Sequence, residues 1–478
     1  MMFATASFAK PHGARTHSPI ESCWKKQVPP TGFLHLTYAA TSQHLYHSST
    51  PWQTYTNDLT GAIWIRGQSY IMLDTLQAKS GTLYSGKAEY SPAQLLSCDF
   101  GDTVPAKITK KDWEEETFES AVYSPAILLD RFHRQRAKRT MSENSSSWMY
   151  TLTISKTVVT VSISKSDTLV HSVRMLSAHD LYGDVTAEFH YSDFQHVGGF
   201  DVPRHIEISR TNGKRKDVVT ISAVDRQEVA PKPFADSVKF NFAPEPANSK
   251  PEIVTTQYSD HIYFLDTKQA DSRSLVVKFP SFILVAEAPL TSENGEAVLR
   301  AAQNIAPGMP IRYFVFGHHH PWYLGGVRPF VHRGVTVLST ALDTAYIRYL
   351  ANAPRTLEPD SLQLDPKPVR FEVLNDSMTI SDGDYRMKLY VIGNKSHHTE
   401  DYTIYYFPKE EMLFEDDLCW LPLASKPAKA SIRQAGLYNA VKELGLVTKT
   451  VVQSWPLQEY GVRSTFPFAD LEATIDLK

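Results

Sequence analysis

One stretch decides how the chain has to be read. From Val229 to Pro251 the sequence runs VAPKPFADSVKFNFAPEPANSKP, with five prolines. A proline fixes φ near −65° and has no N–H to give to a sheet. A run this rich in proline reads as an extended connector, so the chain divides into residues 1–250 and 251–478. A length of 478 residues is enough for two cores of ordinary size.

The two parts carry different periods. Before the connector, MYTLTIS (Met149 to Ser155) and TVVTVSI (Thr157 to Ile163) alternate apolar and polar residues. DVTAEFHYSDF, HIEIS and DVVTISAV continue the pattern, punctuated by VGG and TNGK. Period two with glycine turns predicts a meander of antiparallel strands. One helix is expected over SPAILLDRFHRQR. Beyond the connector, strand-like runs (PIRYFVF, VTVLST, YRMKLYVIG, YTIYYFP) are interspersed with SENGEAVLRAAQNI, ALDTAYIRYLAN and SIRQAGLYNAVKELGL, whose apolar residues fall at helical spacing. Strands interspersed with helices predict layered packing, and the chain as a whole reads as α+β.

Composition narrows the partners. Hydrophobic residues make up 42% and charged residues 21%, a globular balance, and the net charge of −3 gives nucleic acid no general attraction. The one basic stretch, RFHRQRAKR from Arg131 to Arg139, follows the acidic DWEEETFE and reads as a solvated helix face. No apolar run reaches the roughly 18 residues of a transmembrane helix. Cys23, Cys98 and Cys419 are too few for a disulfide framework and form no CxxC pair. The start, MMFATASFAKPHG, reads in two ways. It is either the remnant of a secretory signal, which would place the protein in the periplasm or outside the cell, or a plain terminus. No glycine-rich nucleotide loop is present.

The chemistry concentrates in FGHHHPWYLGG, Phe316 to Gly326. His318 and His320, two residues apart on a loop after a buried strand, point to one side and His319 to the other. Alone, the run reads as a polar turn. Two further strand ends change that preference. GNKSHHTED offers His398, with Asp401 three residues on, and LFEDDLCW offers Asp416 and Asp417. A catalytic zinc needs about three protein ligands, often imidazoles, and an open position for water.

From about Ile253 to Leu477 the order of these motifs resembles the metallo-β-lactamase superfamily. That family carries H-x-H-x-D-H-x-G-G, then a lone histidine followed by threonine, then an aspartate after a strand, then a last histidine. Aligned on Gly325 and Gly326, the resemblance implies an αββα sandwich with His318, His320, His398 and Asp417 as metal ligands, Asp417 in the bridging place. The departures are as informative. The family's second-site aspartate and histidine fall on Trp322 and Tyr323, its terminal histidine falls near Trp455, and Glu287 stands where aspartate is common. An indole has no lone pair for zinc, and a neutral phenol is a poor ligand. The resemblance therefore implies a hydrolase with about one Zn²⁺ per chain. A metal-bound hydroxide would attack an ester, thioester, amide or similar bond, and Asp417 would orient the water or take its proton. Tyr323 either donates to the developing oxyanion or packs beside Trp322. Two other readings stay open: a catalytically inactive binding or scaffold module on the same fold, and a lipid-binding role for the first half. The sequence does not encode the small-molecule substrate.

Overall fold

The structure is a computed structural model. It describes residues 18–29, 31–45, 48–78, 81–235, 237–240, 242–243, 250–423, 428–475 and 477. The signal-like start and residues 244–249 of the connector lie outside the described residues. The chain divides into two compact units. One comprises the described residues of Met1–Ser42, Thr56–Leu176 and Thr186–Glu245, and the other those of Gln43–Tyr55, Ser177–Val185 and Pro246–Lys478. No helix among the described residues is long and apolar enough to cross a membrane.

The first unit is built on a 12-stranded sheet in which two meanders meet where Phe33–His44 pairs antiparallel with Arg215–Gln227. The alternating runs read from the sequence form the strands Ser147–Ile154, Thr157–Ser164, Gly183–Val197, Phe200–Arg210 and Arg215–Gln227. Their buried positions, such as Val159, Val161, Ile206, Ile208, Val219 and Ile221, join one core with Ile127, Leu128 and Phe132 of the helix Ala126–Arg134. The five strands between Phe33 and Cys98 were not singled out by their sequence, and one reason lies on the core side of this meander. There Asp74 stands directly opposite Gly61 on one neighbouring strand and Gly86 on the other, which breaks the apolar alternation. A Cβ at Gly86 would come within 2.5 Å of the Asp74 carboxylate.

The second unit has four layers. Its seven-stranded sheet begins with the antiparallel strands Ile253–Gln257, Ile262–Thr267, Ser272–Lys278 and Ile283–Ala286. It continues in parallel through Ile311–Val315, Thr336–Thr340 and Arg370–Leu374. Parallel strands need long crossovers, and helices Ser292–Ile305 and Thr344–Asn352 lie in two of them. Along each strand alternate residues face opposite ways. Val285, Phe314 and Val337 pack against those helices, while Leu284, Val315 and Leu338 face the second, six-stranded sheet. That sheet contributes Met387, Leu389, Phe407 and Phe414 to the shared core. Its outer residues Ile404, Leu413 and Val451 pack under helices Ile432–Glu443 and Phe468–Ile475. Ser431 and Gln434 close a capping box on the first of these helices, a signal visible in SIRQ. Helix Ser292–Ile305 begins at the serine of SENG and is capped by the side chain of Thr291.

Two segments from the first half of the chain belong to this unit. In them Trp52 stacks on Tyr182 at 5.5 Å and meets Tyr346 and Tyr349 edge-on, and Asp184 accepts from the backbone and hydroxyl of Thr356.

Candidate metal centre

The carboxyl ends of the parallel strands, where open sheets of this kind place their sites, carry the candidate residues. His318, His319 and His320 follow strand Ile311–Val315, Glu287 follows Ile283–Ala286, and Asp343 follows Thr336–Thr340. From the other sheet, Asp416 and Asp417 follow Met412–Glu415, and His398 and Asp401 precede Thr403–Phe407. The structure brings His318, His320 and His398 together, with one ligand-capable nitrogen from each within 4.8 Å of the others.

The outer partners determine which nitrogens face inward. His320 Nε2 lies 3.2 Å from the carbonyl oxygen of Ser48, which only accepts, so Nε2 carries the proton and Nδ1 a lone pair. His318 Nδ1 lies 2.7 Å from Asp416 Oδ2. With that carboxylate ionised, Nδ1 donates to it and Nε2 carries a lone pair. The two inward atoms, His318 Nε2 and His320 Nδ1, are 3.0 Å apart. At that distance a proton or a cation lies between the two nitrogens. His398 Nε2 is buried without a hydrogen bond, 3.3 Å from Asp417 Oδ2. These residues fit a metal ion, since three imidazoles converge, two are braced from outside, and the third has a free nitrogen.

The electrostatics agree. Burial holds His318 well below the usual histidine range, and the neighbouring histidines add to the effect. His320 is pushed down to about 3, first by burial and then by His319 and His398. Both rings are therefore neutral, as a ligand must be. Burial works against ionised Asp417, but His398, His320 and Arg433 outweigh it and keep the carboxyl below its usual value. Behind it, burial pushes Glu287 and Glu415 each up to about 8 and Asp416 well above the carboxylate range. A dication beside this acid cluster supplies the opposite charge.

Packing holds the cluster in place. A Cβ at Gly317 would meet Asp416 Oδ2 at 2.2 Å, so the carboxylate reaches His318 only because a glycine precedes it. Tyr402 stacks on His318, accepts from the backbone of Asp416 and Asp417, and donates to Glu415. Glu287, with φ at 65°, accepts a hydrogen bond from the Tyr405 hydroxyl at 2.5 Å. A glutamate rarely adopts that left-handed conformation.

Trp322 and Tyr323 diverge. The Tyr323 ring is buried 4.3 Å from that of His318, and burial with the surrounding acids keeps its phenol protonated. Trp322 instead meets Trp455 at 5.7 Å. His319 turns away from the other two histidines. Its backbone N–H donates to Asp401 Oδ2 at 2.6 Å, its Nδ1 is 3.1 Å from both Asp401 oxygens, and it groups with Asp343. Sequence reasoning missed Ser48, Tyr402, Glu415 and Asp343. No motif marks a carbonyl 272 residues away from its histidine. Asp343 sits in ALDTAY, which reads as the start of a helix.

No family model matches the chain, and no curated protein matches it. Among solved structures, a metallo-β-lactamase from Pontibacter korlensis is similar at 19% identity and a TM-score of 0.35, over 47% of this chain and 98% of that one. The sec-alkylsulfatase Pisa1 from Pseudomonas sp. is similar at 12% identity and a TM-score of 0.33, over 47% of this chain and 41% of that one. A flavodiiron protein from Giardia intestinalis is similar at 14% identity and a TM-score of 0.34, over 47% of this chain and 59% of that one. These likenesses are weak, and the functional reading rests on the residues of this chain.

Proposed function

We propose that the protein is a metal-dependent hydrolase that holds a single zinc ion on His318, His320 and His398 and cleaves an ester, thioester, amide or similar bond. The observation that carries this reading is the convergence of His318, His320 and His398, one ligand-capable nitrogen of each lying within 4.8 Å of the others. Zinc in such a site supplies Lewis acidity and lowers the pKa of coordinated water toward about 7.

The chain's own groups do the rest. Asp417, ionised and beside His398, orients the attacking water and accepts its proton. The Tyr402 hydroxyl, 3.4 Å from Asp417 Oδ1, restrains that carboxylate. Asp416 and the Ser48 carbonyl fix the orientation of His318 and His320. Tyr323, neutral and buried against His318, offers a proton donor to the developing oxyanion. Trp322 and Trp455 fill the place a second metal would need and narrow the site toward an apolar substrate.

The test is a screen of the purified full chain with a generic aryl ester, a thioester and a lactam, before chelation, after it, and after zinc is restored. Activity that chelation removes, zinc restores, and His320→Ala abolishes supports the reading. A zinc-loaded chain inert to the whole panel would favour the scaffold alternative.

A further inference from the structure

The histidine loop has a second side, whose contacts differ from those of the first. One nitrogen of His319 and one oxygen each of Asp343 and Asp401 lie within 4.8 Å of one another. All three residues are at least 95% buried, at 4%, 1% and 1% exposure. We propose that His319, Asp343 and Asp401 form a second divalent-cation site, on the opposite side of the loop from the three-histidine group.

Four observations carry this. First, two buried carboxylates stand next to each other, and the ion-pair partner within 4 Å of either, among the described residues, is the single imidazole of His319. Like charges so placed need a shared proton or a cation. Second, a proton does not account for the remaining groups. Asp343 Oδ1 and His319 Nε2 are both buried without a hydrogen-bond partner. Asp343 Oδ2 already accepts from the Thr340 hydroxyl at 2.8 Å, so Oδ1 is the oxygen left free. A single added proton engages one such atom, and native interiors rarely leave the other unpaired. Third, the donors suit a cation. Two carboxylates carry a charge of −2 and the imidazole is neutral as a ligand, so a dication balances the set. One nitrogen with carboxylate oxygens suits zinc or manganese, and calcium prefers oxygen alone. Fourth, the residues come from three separate places: the histidine loop, the turn after strand Thr336–Thr340, and the segment before Thr403–Phe407. A cation there ties these three to each other.

This site differs in residues and position from the one the sequence resemblance would have placed at Trp322, Tyr323 and Trp455. It also stands apart from the proposed hydrolase reading. A structural cation would hold the Phe316–Gly326 loop from behind, whatever the front side does.

The experiment is a calorimetric titration of the chelator-stripped full chain with zinc and, separately, with manganese, with bound metal counted after dialysis. Wild type is expected to take up two zinc equivalents. Asp343→Asn, nearly isosteric, should keep one and bind the other at least 100-fold more weakly. His398→Ala should lose the complementary equivalent and retain the one that depends on Asp343. Wild type that takes up no zinc overturns the proposal whether or not any variant folds, and so does a single equivalent that a folded His398→Ala variant lacks. Uptake by a folded Asp343→Asn variant equal to that of wild type overturns it as well. A single wild-type equivalent that survives His398→Ala and is lost in Asp343→Asn would count against the hydrolase reading and leave this site standing.

Discussion

The two sides of the histidine loop use the same residue type for different ends. On one side, His318 and His320 are backed by groups outside the cluster, a carboxylate at 2.7 Å and a carbonyl at 3.2 Å, and their inner nitrogens converge. On the other, His319 meets two carboxylates, with its near nitrogen already against Asp401 at 3.1 Å. The first arrangement uses neutral donors, so a bound zinc keeps its full charge to act on water. The second cancels the charge of a bound cation and buries it, which suits a structural role. Three consecutive imidazoles are therefore assigned by their outer partners as much as by their spacing.

The largest effect should come from breaking the first side. His398→Ala removes one of three donors and should weaken zinc binding by at least 1,000-fold and abolish hydrolysis, since catalytic sites of this kind rest on about three ligands. The far side of the loop should be unaffected, and calorimetry on the folded variant checks both. Next comes the brace. Asp416→Asn keeps the shape but loses the charge that fixes His318 Nδ1 as donor, and partners of this kind are worth about 10–100-fold in affinity. An affinity within about twofold of wild type would show that Asp416 does not orient the ring.

The second unit's borrowed segments can be tested separately. A fragment spanning Pro246–Lys478 lacks Ser48, Trp52 and Tyr182. It should melt earlier and bind zinc more weakly than the full chain. Trp52→Ala, which removes a partly buried ring held by three tyrosines, should cost up to roughly 3 kcal/mol in denaturant unfolding.

Acidity separates the two kinds of buried group in the metal-free chain. His318 and His320 have folded pKa values depressed from about 6.5, the latter to about 3. They destabilise the fold as pH falls from 6.5 toward 3, because the unfolded chain binds the protons. Glu287 and Glu415 are raised to about 8, so they destabilise it as pH rises from about 4.5 to 8. The metal-free protein should be most stable between about pH 4.5 and 6.5. Thermal melts across pH 3–9 check this, and zinc should move the optimum upward by binding the native state. The smallest expected effect is that of Tyr323→Phe. Its turnover should fall about tenfold with metal content unchanged, and unchanged turnover would leave Tyr323 a packing role against His318.

Much of this was legible in the chain. Period-two runs such as TVVTVSI form strands, the capped SIRQAGLYNAVKELGL forms a helix, and His318, His320 and His398 lie together, with Asp417 beside His398. Other features could not be read. Asp74 between Gly61 and Gly86 hid strands by breaking alternation with a buried charge. The Ser48 carbonyl contributes no side chain, so no residue type marks it. Asp343 looks like an ordinary residue at a helix start, and only the fold places it near Asp401.

The central claim is that three imidazoles from two strand ends hold a metal ion. It is tested most directly by zinc content, measured by elemental analysis after dialysis of full-length wild type and His398→Ala side by side. The account predicts that the variant, folded by circular dichroism, holds one zinc fewer per chain than wild type. Equal zinc in the two proteins would contradict it.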